Sequence, residues 1–348
     1  RFFGPLLARH DRERFEVFCY SGVKKPDDAT ERAKGLADRW REIGGLSDEG
    51  AARLIRDDRI DLLVDLAGHG AGGRMLLFAR KPAPVQLAMI AYPDTSGFRA
   101  MDYRITDERM DPPGMTGQLY SEELIRLPRS SWCYHADPAS PPVAPPPCLK
   151  NGFVTFGCLN RLVKVTEPML DLWSRILRQV PGSPLVLAFA GGERENPSVR
   201  RRLVAHGVPG DRLDLLPRAP TGKYLERYAG IDIALDPYPY AGATTTCDAL
   251  WMGVPVVTLA GRSNVSRSGA GLLAEVGLAD LVCDSPDRYV SCAVRLARDP
   301  RRLEKLRSDL RGRMAGSALC DEAGYAGAVE SALRLAWGRW CERAPSWE

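Results

Sequence analysis

Ile231-Asp-Ile-Ala-Leu-Asp236, followed closely by Tyr240-Ala-Gly-Ala-Thr-Thr-Thr-Cys-Asp-Ala-Leu-Trp-Met-Gly-Val-Pro-Val-Val-Thr-Leu259, is the stretch on which the fold turns. The run 231–236 reads as a buried strand, Thr246 to Met252 as a short helix stopped at Gly253, and Val254 to Leu259 as the next strand. Strand, loop, helix and strand in that order make half of a nucleotide-binding unit. Three threonines fall where the loop becomes helix. A helix start offers unpaired N–H groups and the positive end of its dipole, and both favour an anion. Asp248, one turn on, is placed to accept hydrogen bonds from ribose hydroxyls. The same residues also describe an ordinary threonine-capped helix packed on a sheet, and the segment by itself leaves both readings open.

The flanking sequence repeats the pattern. Phe153-Val-Thr-Phe156, Pro184 to Phe189, Leu213-Asp-Leu-Leu216 and Leu281-Val-Cys283 read as strands. Helices predicted at Glu167 to Gln179, Ser198 to His206, Thr221 to Ala229, Ser268 to Val276 and Pro286 to Arg298 separate them, as in a wound parallel sheet. After the first of these strands, Gly157-Cys-Leu-Asn-Arg-Leu-Val-Lys164 passes through a glycine turn and a polar loop to a lysine, and Thr166-Glu-Pro168 caps a helix. That sets a cation beside a helix N-terminus at the C-terminal edge of a sheet, where open α/β folds bind ligands. Lys164 is therefore a candidate to neutralise a diphosphate. The competing reading is a solvated loop lysine, the common state of that residue.

Upstream, Phe15-Glu-Val-Phe-Cys-Tyr20 reads as a strand and Thr30 to Trp40 and Asp48 to Asp57 as helices. Ile60-Asp-Leu-Leu-Val-Asp65 is a buried parallel strand, and Val85 to Ile90 and Tyr103 to Thr106 extend its sheet. Asp137-Pro-Ala-Ser-Pro-Pro-Val-Ala-Pro-Pro-Pro147 is too rich in proline for helix or central strand and marks a boundary. The predicted organisation is an α/β protein of two Rossmann-like lobes facing a cleft. An N-terminal lobe covers 1–137, a linker 138–150, a second lobe 151–320, and a C-terminal helix and tail 321–348, with Ala323 to Cys341 as a long amphipathic helix. Arg1-Phe-Phe-Gly-Pro-Leu-Leu-Ala-Arg-His10 opens inside an apolar helical pattern without a methionine or a cap, which reads as a segment of a longer protein.

Composition narrows the function classes. With 348 residues, 45% hydrophobic and 26% charged, the chain is an ordinary globular sequence long enough for two domains. A net charge of +4 set against 48 basic and 44 acidic side chains, with the arginines dispersed, gives no nucleic-acid signature. Nine scattered cysteines without a CxxC pair point to reduced thiols and a cytoplasmic location rather than disulfides or zinc. No apolar run reaches the ~18 residues of a membrane span, so no membrane partner is expected. Asp232 and Asp236 flank one strand of the second lobe.

Taken together, several segments resemble the catalytic region of the protein O-GlcNAc transferase and SPINDLY family. They are Phe153 to Lys164, Tyr240 to Thr258, Asp61-Leu-Leu-Val-Asp-Leu-Ala-Gly-His69, Phe78-Ala-Arg-Lys-Pro-Ala-Pro-Val-Gln86, Tyr92-Pro-Asp-Thr-Ser-Gly97, Met101-Asp-Tyr-Arg-Ile-Thr-Asp107, Met314-Ala-Gly-Ser317 and Trp337 to Cys341. They are collinear over nearly the whole chain. The resemblance implies a GT-B glycosyltransferase without cofactor or metal, transferring a sugar with inversion from a nucleotide sugar, UDP-GlcNAc favoured, to Ser or Thr hydroxyls of an acceptor protein or peptide. Asn151-Gly-Phe-Val-Thr-Phe-Gly157 and Tyr238-Pro-Tyr-Ala-Gly242 are similar in particular to the SPINDLY branch, which implies GDP-fucose as the alternative donor.

The resemblance also implies roles. Lys164 would hold the diphosphate in catalysis, Thr244 and Thr245 its oxygens, and Asp248 the ribose. Arg161 would lie near the nucleotide, and Ala219 and Arg227 would flank the base. Tyr224 stands where relatives place a histidine against the base, and Ala243 where they carry one before the threonine pair. In the first lobe Tyr92, Pro93, Thr95 and Gly97 belong to a loop on the acceptor side. Asp65 and His69, at a strand end, would position the acceptor or pass its proton. For His69 a supporting hydrogen-bonding role is the other reading. Relatives carry a His-Pro-type motif and a TPR array upstream, which implies a TPR region in the full-length protein. Ala243 motivates a further reading, a nucleotide-sugar-binding scaffold without turnover.

Overall fold

Every strand pair among the residues described by a computed structural model, 1–90, 92–188 and 196–343, is parallel. Near-continuous apolar strands joined by helices require this, because a parallel neighbour is reached only by a crossover that covers the sheet. Two α/β units result: Arg1–His135 together with the segment from Ala318 on, and Ala136–Ser317.

In the first unit β1 (Phe18–Ser21) pairs with β2 (Arg39–Glu42), and β3 (Leu62–Asp65), β4 (Val85–Ala88), β5 (Tyr103–Asp107) and β6 (Glu123–Leu127) form a sheet in that order. Val85, Leu87, Tyr103, Ile105 and Ile125 pack against Tyr325, Val329, Ala332 and Ala336 of the C-terminal helix Glu322–Arg343. The last helix thus completes the core of the first unit. Arg129, donating to the Ala318 carbonyl at 2.7 Å and to Asp321 at 2.7 Å, ties down its approach.

In the second unit β7 (Phe156–Cys158), β8 (Leu185–Ala188), β9 (Leu213–Leu216), β10 (Ile233–Leu235), β11 (Val256–Leu259) and β12 (Val282–Cys283) lie in the order β12-β11-β10-β7-β8-β9. Counted within the unit this is the Rossmann order 3-2-1-4-5-6 read from the other edge. The proline-rich stretch falls within this unit. Arg311 donates to the Pro141 carbonyl at 2.8 Å, and buried Asp232 accepts the Cys148 and Thr155 amides at 3.0 and 2.8 Å.

Several elements differ from the sequence expectation. The helix predicted over Thr30 to Trp40 is Asp28–Leu36, capped by Asp27, and Trp40 instead lies in β2 opposite Cys19. Pairing with β1 decides that segment against its helical pattern. The strand predicted from Phe153 begins only at Phe156, and of the strand predicted over Pro184 to Phe189 the described part is Leu185–Ala188, Phe189 lying outside the described residues. Strand β6 and the helix Pro300–Ala315 were not predicted, although Asp299 accepting the Arg302 amide, with proline at the first turn, is a regular helix start.

Candidate active site

In the Rossmann order the strand sequence reverses between the first and fourth strands, here β7 and β10, and the loops leaving their C-terminal ends diverge to opposite sides. Ligands of open α/β sheets bind in the crevice so formed. The loop after β7 carries Asn160, Arg161 and Lys164; the loop after β10 carries Asp236 to Ala243 and leads into the helix Thr244–Trp251. Two segments singled out in sequence therefore meet at one switch point. A small hollow there is lined by Gly157, Asn160, Tyr228, Asp236 and Thr245.

Lys164 ends a 3-10 turn, and its Nζ donates to the Ala241 carbonyl at 2.9 Å and lies 3.8 Å from the centre of the Tyr240 ring. Burial pushes its pKa down, Asp236 opposes this, and neighbouring Arg161 lowers it further. It is a half-buried cation held by a carbonyl and an aromatic face, not a solvated loop lysine. Asp236, 1% exposed, accepts the Gly242 amide at 2.7 Å and the Thr258 hydroxyl at 2.8 Å. Burial raises its carboxyl to about 6.

The helix Thr244–Trp251 starts at Ala243 without a side-chain cap, so its threonines do not serve as the ordinary N-cap. Thr244 is exposed, and Thr245 Oγ1 donates to Asn160 Oδ1 at 2.7 Å, tying the two loops together. The first-turn amides carry the positive end of the helix dipole. Gly242 is required for this approach: a Cβ there would come 2.6 Å from the hydroxyls of both Thr245 and Thr246. Asp248 is 1% exposed, on the buried face of the helix rather than at an open edge.

Around the expected base position, Ala219 is partly buried, and Arg227 opens the 3-10 turn Arg227–Gly230. The Nη1 of Arg227 is buried with no acceptor among the described residues. Tyr224 is 6% exposed, with its ring 5.6 Å from that of Tyr228 at a steep angle and the two hydroxyls 2.8 Å apart. Packed this way, it buttresses Tyr228, whose hydroxyl donates to the Thr245 carbonyl at 3.0 Å.

In the first unit, Asp65 at the end of β3 accepts the Ala67 and Gly68 amides at 3.0 and 2.8 Å, and burial raises its pKa. Both oxygens hold the turn that delivers His69. His69 is exposed, its ring 5.2 Å from that of Tyr92, and its Nε2 donates to the Ser96 carbonyl at 2.7 Å. That bond fixes the tautomer and leaves Nδ1 as the proton-accepting atom. The loop Tyr92 to Gly97, with Pro93 buried and Gly97 at φ 70°, is gripped from both sides. Arg104 of β5 donates to the carbonyls of Tyr92 and Asp94 at 2.6 and 3.0 Å. Glu122, 4% exposed, accepts the Ser96 amide at 2.6 Å and the Thr95 hydroxyl at 2.7 Å. Burial alone would raise the Glu122 pKa, but the bonds from Ser96 and Thr95 outweigh it and the net direction is down.

The structure thus gathers Lys164, Arg161, Ala243, Thr244 and Thr245 at one switch point, and His69, Tyr92, Pro93, Thr95 and Gly97 around one loop of the other unit. Asn160, Tyr228, Asp236, Arg104 and Glu122 are the residues that sequence reasoning passed over. Only Arg104, a charged side chain inside the apolar strand β5, carries a local signal; Asn160, Tyr228, Asp236 and Glu122 lie in loops, turns or just past a strand end.

The sequence profile of glycosyl transferase family 41 matches residues 5–136 and 148–329. Over 345 residues the chain is 43% identical to a rice (Oryza sativa subsp. japonica) protein described as a probable UDP-N-acetylglucosamine–peptide N-acetylglucosaminyltransferase SPINDLY, covering 97% of this chain and 37% of that one. A mutant O-GlcNAc transferase of Thermobaculum terrenum matches with a TM-score of 0.93 at 40% identity, over 98% of this chain and 65% of that one. Sucrose-phosphate synthase of Thermosynechococcus elongatus matches at 0.60 with 12% identity over 95% of this chain and 88% of its own, a likeness of fold alone. The fold is GT-B. The chain spans 37% of the length of the rice protein, so most of that relative lies outside the match. Among the described residues, no helix is long and apolar enough to cross a membrane.

Proposed function

The chain belongs to glycosyl transferase family 41, and from that premise we propose that it transfers N-acetylglucosamine from UDP-GlcNAc to Ser or Thr hydroxyls of proteins, with inversion and without a metal. The observation that carries this reading is the half-buried Lys164 cation beside an uncapped helix start at the β7/β10 switch point. As the glycosidic bond breaks, negative charge grows on the departing diphosphate. A fixed ammonium and first-turn amides stabilise that charge more than they stabilise the intact donor, which is the condition for catalysis. Lys164 gives one N–H to the Ala241 carbonyl and faces the Tyr240 ring, and its ammonium has further N–H donors to offer a diphosphate.

The unpaired Nη1 of Arg227 supports a base carbonyl as its acceptor, since a buried donor without a partner costs ~1–3 kcal/mol. His69 is assigned to the acceptor hydroxyl, its Nδ1 taking the proton as the hydroxyl attacks. Asp65 is assigned to the turn rather than to proton transfer, because both its oxygens are occupied by amides. The names of the matched relatives, which specify a UDP-N-acetylglucosamine–peptide transferase and an O-GlcNAc transferase, support the same donor and acceptor class. An upstream region and acceptor proteins belong to this proposal for the whole protein.

The test is Lys164→Ala in the full chain, with UDP and GDP compared by calorimetry on the unsubstituted protein. One unit charge about 4 Å from the leaving group, at an effective dielectric of about 20, is worth about 4 kcal/mol, or roughly a thousandfold in kcat. Turnover within tenfold of the unsubstituted protein refutes the assignment of Lys164, and tighter binding of GDP refutes that of UDP-GlcNAc.

A further inference from the structure

A single peptide group in the donor loop is held at both ends by charge. The Ala241 carbonyl accepts from Lys164 Nζ at 2.9 Å, and Gly242 N–H donates to Asp236 Oδ1 at 2.7 Å. Carbonyl and amide belong to the same planar unit. Its dipole is positive at N–H and negative at C=O, so carboxylate and ammonium each face the end of opposite sign. Asp236 is itself fixed from every side. Its Oδ2 accepts from Thr258 at 2.8 Å, and its main-chain carbonyl accepts at 3.0 Å from Tyr289, whose hydroxyl is held by Trp173. A Cβ on Gly269 would come 2.4 Å from Oδ2 and one on Gly242 2.9 Å from Oδ1, so glycines on two elements make room for this carboxylate.

We propose that Asp236 is a positioning residue for the donor. Its negative charge, acting through the Ala241–Gly242 peptide, holds Lys164 and the start of the helix Thr244–Trp251 in the geometry that receives the diphosphate, and loss of that charge releases it. The proposal rests on the assignment of Lys164 to the diphosphate. A proton on Oδ1 displaces the Gly242 amide. A proton on either oxygen removes the counter-charge that favours the Lys164 cation. The titratable groups facing Asp236 are Lys164 from the loop after β7, Cys158 at the end of β7 and Tyr289 from the helix Pro286–Ala297. Burial drives Cys158 up to about 12 and Tyr289 well above its ordinary value, so both stay neutral in mild acid. Burial drives Asp236 to about 6, against the Thr258 and Gly242 bonds and the Lys164 charge, so it is the group that titrates there.

The experiment is calorimetric binding of UDP-GlcNAc to the full chain between pH 5 and pH 8, a range in which the donor's diphosphate diester does not titrate. Affinity is expected to be about tenfold weaker at pH 5 than at pH 8, following the ionised fraction of a group with its midpoint near 6. Asp236→Asn is expected to bind at the weak level throughout, without pH dependence. Thr258→Val, which removes one donor to the carboxylate, is expected to move the midpoint to higher pH. A flat profile in the unsubstituted protein, an unaltered profile in Asp236→Asn, or an unmoved midpoint in Thr258→Val overturns the proposal. Thr258→Val decides the matter if the asparagine variant does not fold. Lys164→Ala separates the two assignments. Undiminished binding by that variant refutes the role of Lys164, whereas lost binding beside an unaltered Asp236→Asn profile refutes only that of Asp236.

Discussion

Asp236→Asn exchanges a buried carboxylate for an amide of nearly the same size, so it removes a charge and little volume. The carboxyl sits at about 6 in the folded protein against an ordinary 3.8, raised chiefly by burial. A carboxyl raised on folding contributes stability that is full below about pH 4, where it is protonated folded or unfolded, and that is lost as pH rises through about 6. The interval from 3.8 to about 6, at about 1.4 kcal/mol per pH unit, is worth about 3 kcal/mol. The asparagine variant does not titrate and so escapes this loss. Its Oδ1 keeps the Gly242 amide, and its NH2 falls towards Thr258, whose hydroxyl can turn to accept. The attraction of Lys164 is already contained in the folded value, so it is not subtracted again. The difference in unfolding free energy, variant minus unsubstituted protein, is therefore expected to grow by about 3 kcal/mol between pH 4 and pH 8. Urea titrations of both proteins at pH 4.5, 6 and 8 measure it, and other titrating groups cancel in the difference. A difference that stays constant with pH, or that shrinks as pH rises, refutes the reasoning.

Gly242→Ala places a methyl under 3.0 Å from Thr245, Thr246 and Asp236, and is expected to cost ~1–3 kcal/mol and lower the thermal midpoint by several degrees, with weaker UDP binding by calorimetry. Tyr224→Phe removes the 2.8 Å hydroxyl pair with Tyr228 and is expected to cost ~1 kcal/mol of stability in urea titration, while the ratio of UDP to GDP affinity stays unchanged because the aromatic ring is kept. Glu122→Gln turns one of the oxygens that accept from Ser96, Thr95 and Ser121 into a donor, and is expected to cost ~1–3 kcal/mol. In steady-state assays it is expected to raise KM for an acceptor peptide more than KM for UDP-GlcNAc. Because the Glu122 pKa is lowered on folding, its contribution is present above the ordinary glutamate range and lost as pH falls below it, so the deficit of the variant is expected to vanish in acid.

What the sequence made legible follows from local chemistry. The run 231–259 reads as strand, loop, helix and strand because its apolar period changes at Thr246 and its stop is a glycine, both properties of neighbouring residues, and the helix itself begins two residues earlier, at Thr244. Lys164 and the threonines stand out for the same reason: a loop that meets a helix start at a sheet edge is where open α/β folds bind ligands. Trp40 was misplaced because its partner Cys19 is distant in sequence and the helical pattern before it gives no warning of the pairing. The burial of Tyr224 against Tyr228, one turn on, has no local signal, because both residues are tyrosines in a short helical pattern. Asp236 was visible only as an acidic residue at a strand end. Its meaning lies in Gly242, Thr258 and Gly269, which converge on it from a loop, a strand and a helix.

The same device recurs in both units, and it explains why the positioning groups were the hardest to see. In each unit the residues read as functional ride on a loop beyond a strand end, and a loop has few contacts of its own to fix it. In the first unit, Arg104 from β5 and Glu122 just before β6 reach the main chain of Tyr92 to Ser96. In the second, Asp236 at the end of β10 reaches the main chain of Gly242. Most of these bonds go to the main chain, which leaves the outward side chains of the loop to other contacts, while Gly242 and the Thr95 hydroxyl are fixed by the charge they meet. Burying the charge has a stability cost, visible in the raised carboxyl of Asp236, and a hydrophobic residue at that place would pack without it. A carboxylate retained there, between two glycines and beside a cation, is explained by the loop it orients and not by the core it sits in.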